Sequence, residues 1–223
     1  MKLSPAEFDR FFQERRLVLT VVGMSNVGKT RWSKRLRSLG FEDIHCDDLI
    51  EARLSHRLTA LGYSGLADIS RWLGQPYDER YSENQREYIS IEKQVMEGVI
   101  ADAQTGKLKN AVIDTTGSVV HTGEDICSAL KEHSLVVYIE ATKEMADEMF
   151  KRYIEKPKPV IFGDAYKPQE GETDAEALKR CYRDLLAVRS ALYGRYADIT
   201  IPATRTRECS DVGQFFSLLR RSL

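Results

Sequence analysis

Gly23-Met24-Ser25-Asn26-Val27-Gly28-Lys29-Thr30 follows the apolar run Leu17-Val18-Leu19-Thr20-Val21-Val22 and precedes a helix-like segment from Arg31 to Leu39. The octapeptide is G-x-x-x-x-G-K-T in a strand-to-helix setting, the pattern of a phosphate-binding loop. Glycines let the chain curl so that successive amide N–H groups face phosphate oxygens, and the following helix turns its positive end toward them. Lys29 supplies a mobile charge for the outer phosphates, and the Thr30 hydroxyl suits Mg²⁺. The expected nucleotide contacts are Gly23, Ser25, Asn26, Val27, Gly28, Lys29, Thr30 and Arg31, with ATP and Mg²⁺ as the implied ligands.

Outward from the loop, strand-like runs ending in small or acidic residues recur at 17–22, 42–46, 110–114, 134–139 and 198–201. Helical patterns separate them, which is the rhythm of a parallel sheet covered on both faces, a three-layer α/β fold. Tyr88, Ile91, Val95 and Val99 step by three and four, as do Leu178, Cys181, Leu185, Val188 and Leu192, so both segments read as amphipathic helices packed on the sheet. Ser4, Pro5 and Glu7 spell a capped helix start, expected at the sheet edge. Residues 52–85 and 155–173, rich in Gly and Pro, break the alternation and read as mobile inserts that hold an acceptor or close over the nucleotide.

With 223 residues and 42% hydrophobic content, the chain can bury one sizeable core, so a single domain over 1–223 is expected. A net charge of -1 with both signs interspersed gives no broad basic face, which argues against nucleic acid as a partner. Cys46, Cys127, Cys181 and Cys209 lack C-x-x-C spacing and read as reduced packing residues, neither a zinc site nor a disulfide framework. No apolar run approaches a membrane span and no signal-peptide core is present, so a cytoplasmic monomer or homodimer without a membrane partner is the expectation.

Further groupings fall at predicted strand ends, where ligands bind in open α/β sheets: His45-Cys46-Asp47-Asp48-Leu49-Ile50-Glu51 and Asp114-Thr115-Thr116-Gly117. The late insert carries Lys156 and Lys158, and the last long helix Arg189. With the loop, this set resembles shikimate kinase, within the P-loop small-molecule and nucleoside-monophosphate kinases. Asp47-x-x-Ile50-Glu51 is similar to that family's D-x-x-I-E, whose aspartate sits near the acceptor hydroxyl as a proton acceptor. Arg189-x-x-x-Tyr193-x-x-x-Ala197-Asp198 is similar to its R-x-x-x-Y-x-x-x-A-D, whose arginine holds the acceptor's carboxylate. Lys158-Pro159-Val160-Ile161 stands where the lid carries Arg-Pro-Leu-Leu, and Gly117 where a glycine-rich turn approaches the acceptor.

The resemblance implies a P-loop fold with a five-stranded parallel sheet in order 2-3-1-4-5. It also implies an acceptor-binding helical insert over about 48–90 and a lid over about 155–173. The implied activity is transfer of the ATP γ-phosphoryl to a hydroxyl of a small, anionic metabolite. Lys29, Asp47 and Arg189 would be catalytic, Asp47, Gly117 and Arg189 would touch the acceptor, Lys158 the nucleotide, and Thr30 with Asp114 the metal.

Several positions depart from the family pattern. His45 replaces the first aspartate of D-x-D, and Ile89 stands for the arginine of F-R-x-x-E when Glu92 is aligned, leaving Arg80 or Arg86 as substitutes. Thr115 and Thr116 replace two glycines, adding hydroxyls that narrow the pocket. Lys158 replaces an arginine and cannot form a bidentate fork. Two further readings stay open: a nucleotide-binding regulatory protein that has lost transfer, and a nucleoside or nucleotide kinase.

Overall fold

A computed structural model describes residues 1–223, the side chain of Leu66 excepted. The chain runs α1 (Pro5–Gln13), β1 (Val18–Val22), α2 (Lys29–Leu36), β2 (Glu42–His45), α3 (Cys46–Ala60), α4 (Leu66–Leu73), α5 (Tyr81–Gln104), β3 (Ala111–Asp114), α6 (Glu124–His133), β4 (Leu135–Glu140), α7 (Met145–Glu155), α8 (Asp174–Tyr196), β5 (Ile199–Pro202), α9 (Ala203–Glu208) and α10 (Val212–Arg221), with short 3₁₀ turns between. The five strands form one parallel sheet in the order β2-β3-β1-β4-β5, as the family resemblance implies. Each lies within a residue of its expected bounds.

The three inner strands are apolar almost throughout because helices cover both of their faces, the usual state of a parallel sheet. β5, at one edge, alternates buried and exposed residues and ends on Pro202, whose missing N–H costs nothing at an edge. Helices α2, α10 and α1 pack together as one layer; α5, α6 and α8 form the other. Trp32 of α2 stacks on Phe215 of α10 with ring centroids 4.3 Å apart, joining the phosphate-loop helix to the C-terminal helix.

Helix α1 carries the expected capping box between Ser4 and Glu7. It does not lie beside an edge strand but crosses beneath the N-terminal ends of the strands. At one end the Met1 amino group reaches Ser134 O at 3.1 Å and Asp198 Oδ2 at 3.0 Å, at the starts of β4 and β5. At the other, Phe12 stacks on Phe41 and its carbonyl accepts from Asn110 Nδ2, at the starts of β2 and β3.

Of the two stretches that broke the alternation, the first is helical, as the resemblance implies, and the second is packed down rather than loose. Residues 52–85 are mostly helical, in α3, α4 and the start of α5. Within 155–173, Val160, Ile161 and Phe162 are buried, so this segment is a strap pressed into the protein with only its flanks exposed.

Candidate active site

The register places Asp114 at the end of β3 beside Val21 of β1 and His45 of β2, so the loop after β1 and the carboxylates after β2 and β3 converge above the C-terminal edge of the sheet. Gly23, Asn26 and Gly28 have φ of 142°, 68° and 112°, positive-φ backbone of the kind that lets successive amide groups form an anion-binding nest. A Cβ on Gly23 would sit 2.5 Å from Ile139 O, so only glycine fits there. Asn26 tolerates the left-handed region better than other side-chain-bearing residues.

A cleft of about 200 Å³ opens over this loop. Ser25, Asn26, Gly28, Lys29, Thr30 and Arg31 form its floor, and Asp47, Asp114, Gly117 and Lys158 close its sides, with Thr115 and Arg152 beside them. Val27 turns its side chain into the core instead. The Lys29 ammonium is buried and donates to Gly23 O (2.8 Å) and Met24 O (3.2 Å). Burial pulls its pKa down; Asp114 and Asp47 oppose that pull, while Lys158 and Arg189 add to it. Burial pushes the Asp47 carboxyl up, against the effect of Lys29 and Lys158. Helix α3 begins at Cys46, so Asp47 belongs to its first turn, where the helix dipole favours a carboxylate.

Asp114 is shared between structure and site. Its Oδ2 meets His45 Nδ1 at 3.1 Å, and His45 Nε2 meets Asp43 Oδ2 at 2.7 Å, so the imidazole is a bridge between two carboxylates. Ser33 Oγ donates to the other Asp43 oxygen at 2.6 Å. Asp114 Oδ1 is buried without a hydrogen-bond partner among the described residues. An orphaned carboxylate oxygen in the cleft that Thr30 also lines fits Mg²⁺, which takes few protein ligands and keeps phosphate and water oxygens for the rest. No group of three or more His, Cys, Asp or Glu residues able to hold a metal occurs among the described residues.

Solved shikimate kinases share this architecture across nearly the whole chain. The enzyme from Acinetobacter baumannii, solved with shikimate, superposes with a TM-score of 0.60 at 20% identity, covering 95% of this chain and 96% of that one. Those from Bacteroides thetaiotaomicron and Aquifex aeolicus give TM-scores of 0.59 and 0.54 at 17% identity, each covering 92% of this chain and 97% of theirs. The chain has a shikimate kinase-like fold. No family model matches its sequence, and no curated protein does.

Within this shikimate kinase-like fold the acceptor side departs from the sequence expectation at several points. Neither threonine that replaces a glycine points its hydroxyl into the cleft: Thr115 donates to Val21 O at 2.9 Å, tying β3 to β1, and Thr116 donates to Glu92. Arg80 and Arg86, the candidates for the place left by Ile89, are exposed and do not line the cleft.

Arg189 is fully buried and pairs with no carboxylate among the described residues; Asp184 is engaged by Arg180, and Glu176 by the cap of α8. Its Nη2 donates to Ile161 O at 2.5 Å and its Nε to His121 Nε2 at 3.2 Å. Its Nη1 meets Met24 Sδ at 3.8 Å and lies against Gly117, where a Cβ would sit 3.3 Å from that nitrogen and from Ser25 Oγ.

Three groups were given no role in the sequence reading of the site, Glu92 having served only to align a motif. Glu92 lies at the middle of α5 with no exposure, accepting from Thr116 and, at 2.6 Å, from Ser118 Oγ, the residues on either side of Gly117. Burial pushes its pKa up to about 7, against the two hydroxyls. His121 is pulled down to about 4 by burial and by Arg189, so it is neutral and accepts from that guanidinium. Arg152 comes from the last turn of α7; the pair Lys151-Arg152 shortly before Lys158 was its only signal.

Proposed function

We propose that this protein is an ATP-dependent kinase that transfers the γ-phosphoryl group to a hydroxyl of a small, anionic metabolite. The observation that carries the reading is the single cleft in which the phosphate-binding loop, Lys29 and Thr30 stand with Asp114, Asp47, Gly117 and the cations Lys158 and Arg152. Phosphoryl transfer needs positioning and charge neutralisation more than covalent chemistry, and these residues supply both. The loop amides and Lys29 take the charge that develops on the phosphate, joined by Lys158 and Arg152. Thr30 and Asp114 would hold Mg²⁺, whose contribution there is to neutralise the polyphosphate. Asp47, with its raised pKa, orients the acceptor hydroxyl and accepts its proton. The anionic character of the acceptor rests on Arg189: a buried guanidinium without a carboxylate is costly, and its Nη1, held by the Met24 thioether, borders Gly117.

A second reading, a nucleotide-binding regulatory protein, is favoured by the hydrogen bond from His45 to Asp114, which engages one of the oxygens needed near the metal. An ADP-release screen over hydroxylated carboxylic acids, sugars, polyols and nucleosides, with shikimate included, separates the readings. A kinase releases ADP faster when its acceptor is present, and a nucleoside kinase answers to nucleosides. Nucleotide-dependent stabilisation with no acceptor-dependent release across the screen sinks the kinase reading in favour of the regulator.

A further inference from the structure

Helix α7 borders two hollows. Its last turn supplies Arg152 to the nucleotide cleft, while its first turn, with Ala146 and Asp147, walls a separate hollow of about 380 Å³ against α8 and the end of β4. The two share no lining residue. The second hollow exists because small side chains face one another where the helices meet: Ala146 from α7, Ala187 and Ser190 from α8, Ala141 after β4. Tyr138 and Leu186 add apolar surface, and the tyrosine is held in place by a 2.9 Å hydrogen bond between its hydroxyl and Ser190 Oγ.

The chemistry at the rim is cationic. Lys143, exposed, has no carboxylate within ion-pair distance among the described residues. Arg183 spans to Asp147 at 2.6 Å, but both ends are more than half exposed, and surface pairs of this kind are weak enough to yield to a competing anion. A mainly apolar hollow of several hundred Å³ with a few polar groups at its edge has the dimensions and chemistry of a small-molecule site.

We propose that this hollow binds a small planar acid, its ring against Tyr138 between α7 and α8 and its carboxylate or sulfonate at Lys143 and Arg183. The site is coupled to the nucleotide cleft by two direct routes. Met24, whose side chain lines the hollow, belongs to the phosphate-binding loop, and its carbonyl accepts from Lys29. Helix α7 leads into the strap that carries Lys158, so a ligand wedged at its first turn sets where Arg152 and Lys158 stand over the nucleotide.

The test is a fluorescence titration of the full chain with 1-anilinonaphthalene-8-sulfonate, an anionic aromatic probe, with and without saturating ADP and Mg²⁺. The expected result is saturable binding of one equivalent that persists in ADP. Ala187→Trp, which fills the hollow, abolishes it; Ala187→Leu, a milder filling, weakens it; Lys143→Glu weakens it about tenfold or more. Each variant must show the cooperative melt of the parent. Absence of saturable binding overturns the proposal, as does binding indifferent to both Ala187→Trp and Lys143→Glu. Displacement by ADP in equal proportion would place the probe in the nucleotide cleft and overturn it too. None of these outcomes depends on whether the protein transfers phosphate.

Discussion

Lys29 is the residue on which the proposed chemistry turns hardest. It is the one buried ammonium facing the loop, and burial already disfavours its charge, so replacing it removes transition-state stabilisation without removing a large part of the fold's stability. Lys29→Ala should lower turnover at least ~10²-fold, the scale of losing one preorganised charge donor, measured as acceptor-dependent ADP release. Near Gly117, a buried glutamate and a half-buried histidine make opposite demands on pH. Glu92 has its pKa raised from 4.5 to about 7, so its contribution to stability is full below about pH 4.5 and lost as pH rises through about 7. His121 has its pKa lowered from 6.5 to about 4, so its contribution is full above about pH 6.5 and lost as pH falls through about 4. Each is worth about 3 kcal/mol across its window, and in the parent they offset one another. Glu92→Gln should leave a protein whose denaturant midpoint rises from pH 4 to 6.5, and His121→Gln one whose midpoint falls from pH 4.5 to 7. Parallel profiles for the two variants would refute the pairing.

The elements differ in how much of them could be read from residue order. The three inner strands announce themselves as apolar runs, and all five, the half-exposed β2 and the alternating β5 included, were legible to within a residue; the loop between β1 and α2 is fixed by glycine spacing. Helix α3 does carry a stripe, Cys46, Ile50, Leu54 and Leu58, but the glycines that follow mask it, and α4 has only eight residues in which to show a period. The strap was illegible for a different reason: three apolar residues between prolines and a glycine have no periodicity, and what holds them is distant in sequence. Tyr81, at the first position of α5, donates to Val160 O at 2.9 Å and accepts from Phe162 N at 2.8 Å, and Gln85 accepts from Gly163 N. The same distance hid Glu92, His121 and Arg152, whereas the loop residues, Asp47 and Asp114 were visible because strand ends placed them. Tyr81→Phe strands a buried carbonyl and a buried amide, a loss of about 1–3 kcal/mol for each group. Hydrogen exchange at Phe162 should quicken while the amides of β1 stay protected, and nucleotide should bind more weakly as Lys158 loosens. An unchanged Phe162 rate would mean that the strap is anchored elsewhere.

Across the whole molecule, the two ends of the sheet are given to different tasks. The C-terminal ends of the strands carry the cleft, while the N-terminal ends are closed by α1, with Asn110 as the joint: its side chain accepts from Leu17 N at 3.0 Å and donates to Phe12 O at 2.9 Å. Asn110 also holds a φ of 42°, which alanine adopts at a cost. Asn110→Ala should therefore destabilise the fold by about 2 kcal/mol or more, through two lost hydrogen bonds and a strained backbone. A ligand that binds only the folded state stabilises it by about 2.7 kcal/mol at a free concentration of 100 Kd, and nothing at the N-terminal ends of the strands enters that term. Asn110→Ala should thus melt lower than the parent yet gain the same increment from ADP with Mg²⁺, whereas Lys29→Ala should melt near the parent and gain little. Thermal melts of the three proteins with and without nucleotide decide the matter. If Asn110→Ala lost its nucleotide increment along with its stability, the closed end of the sheet would be shaping the open one, and the division of labour between them would have to be abandoned.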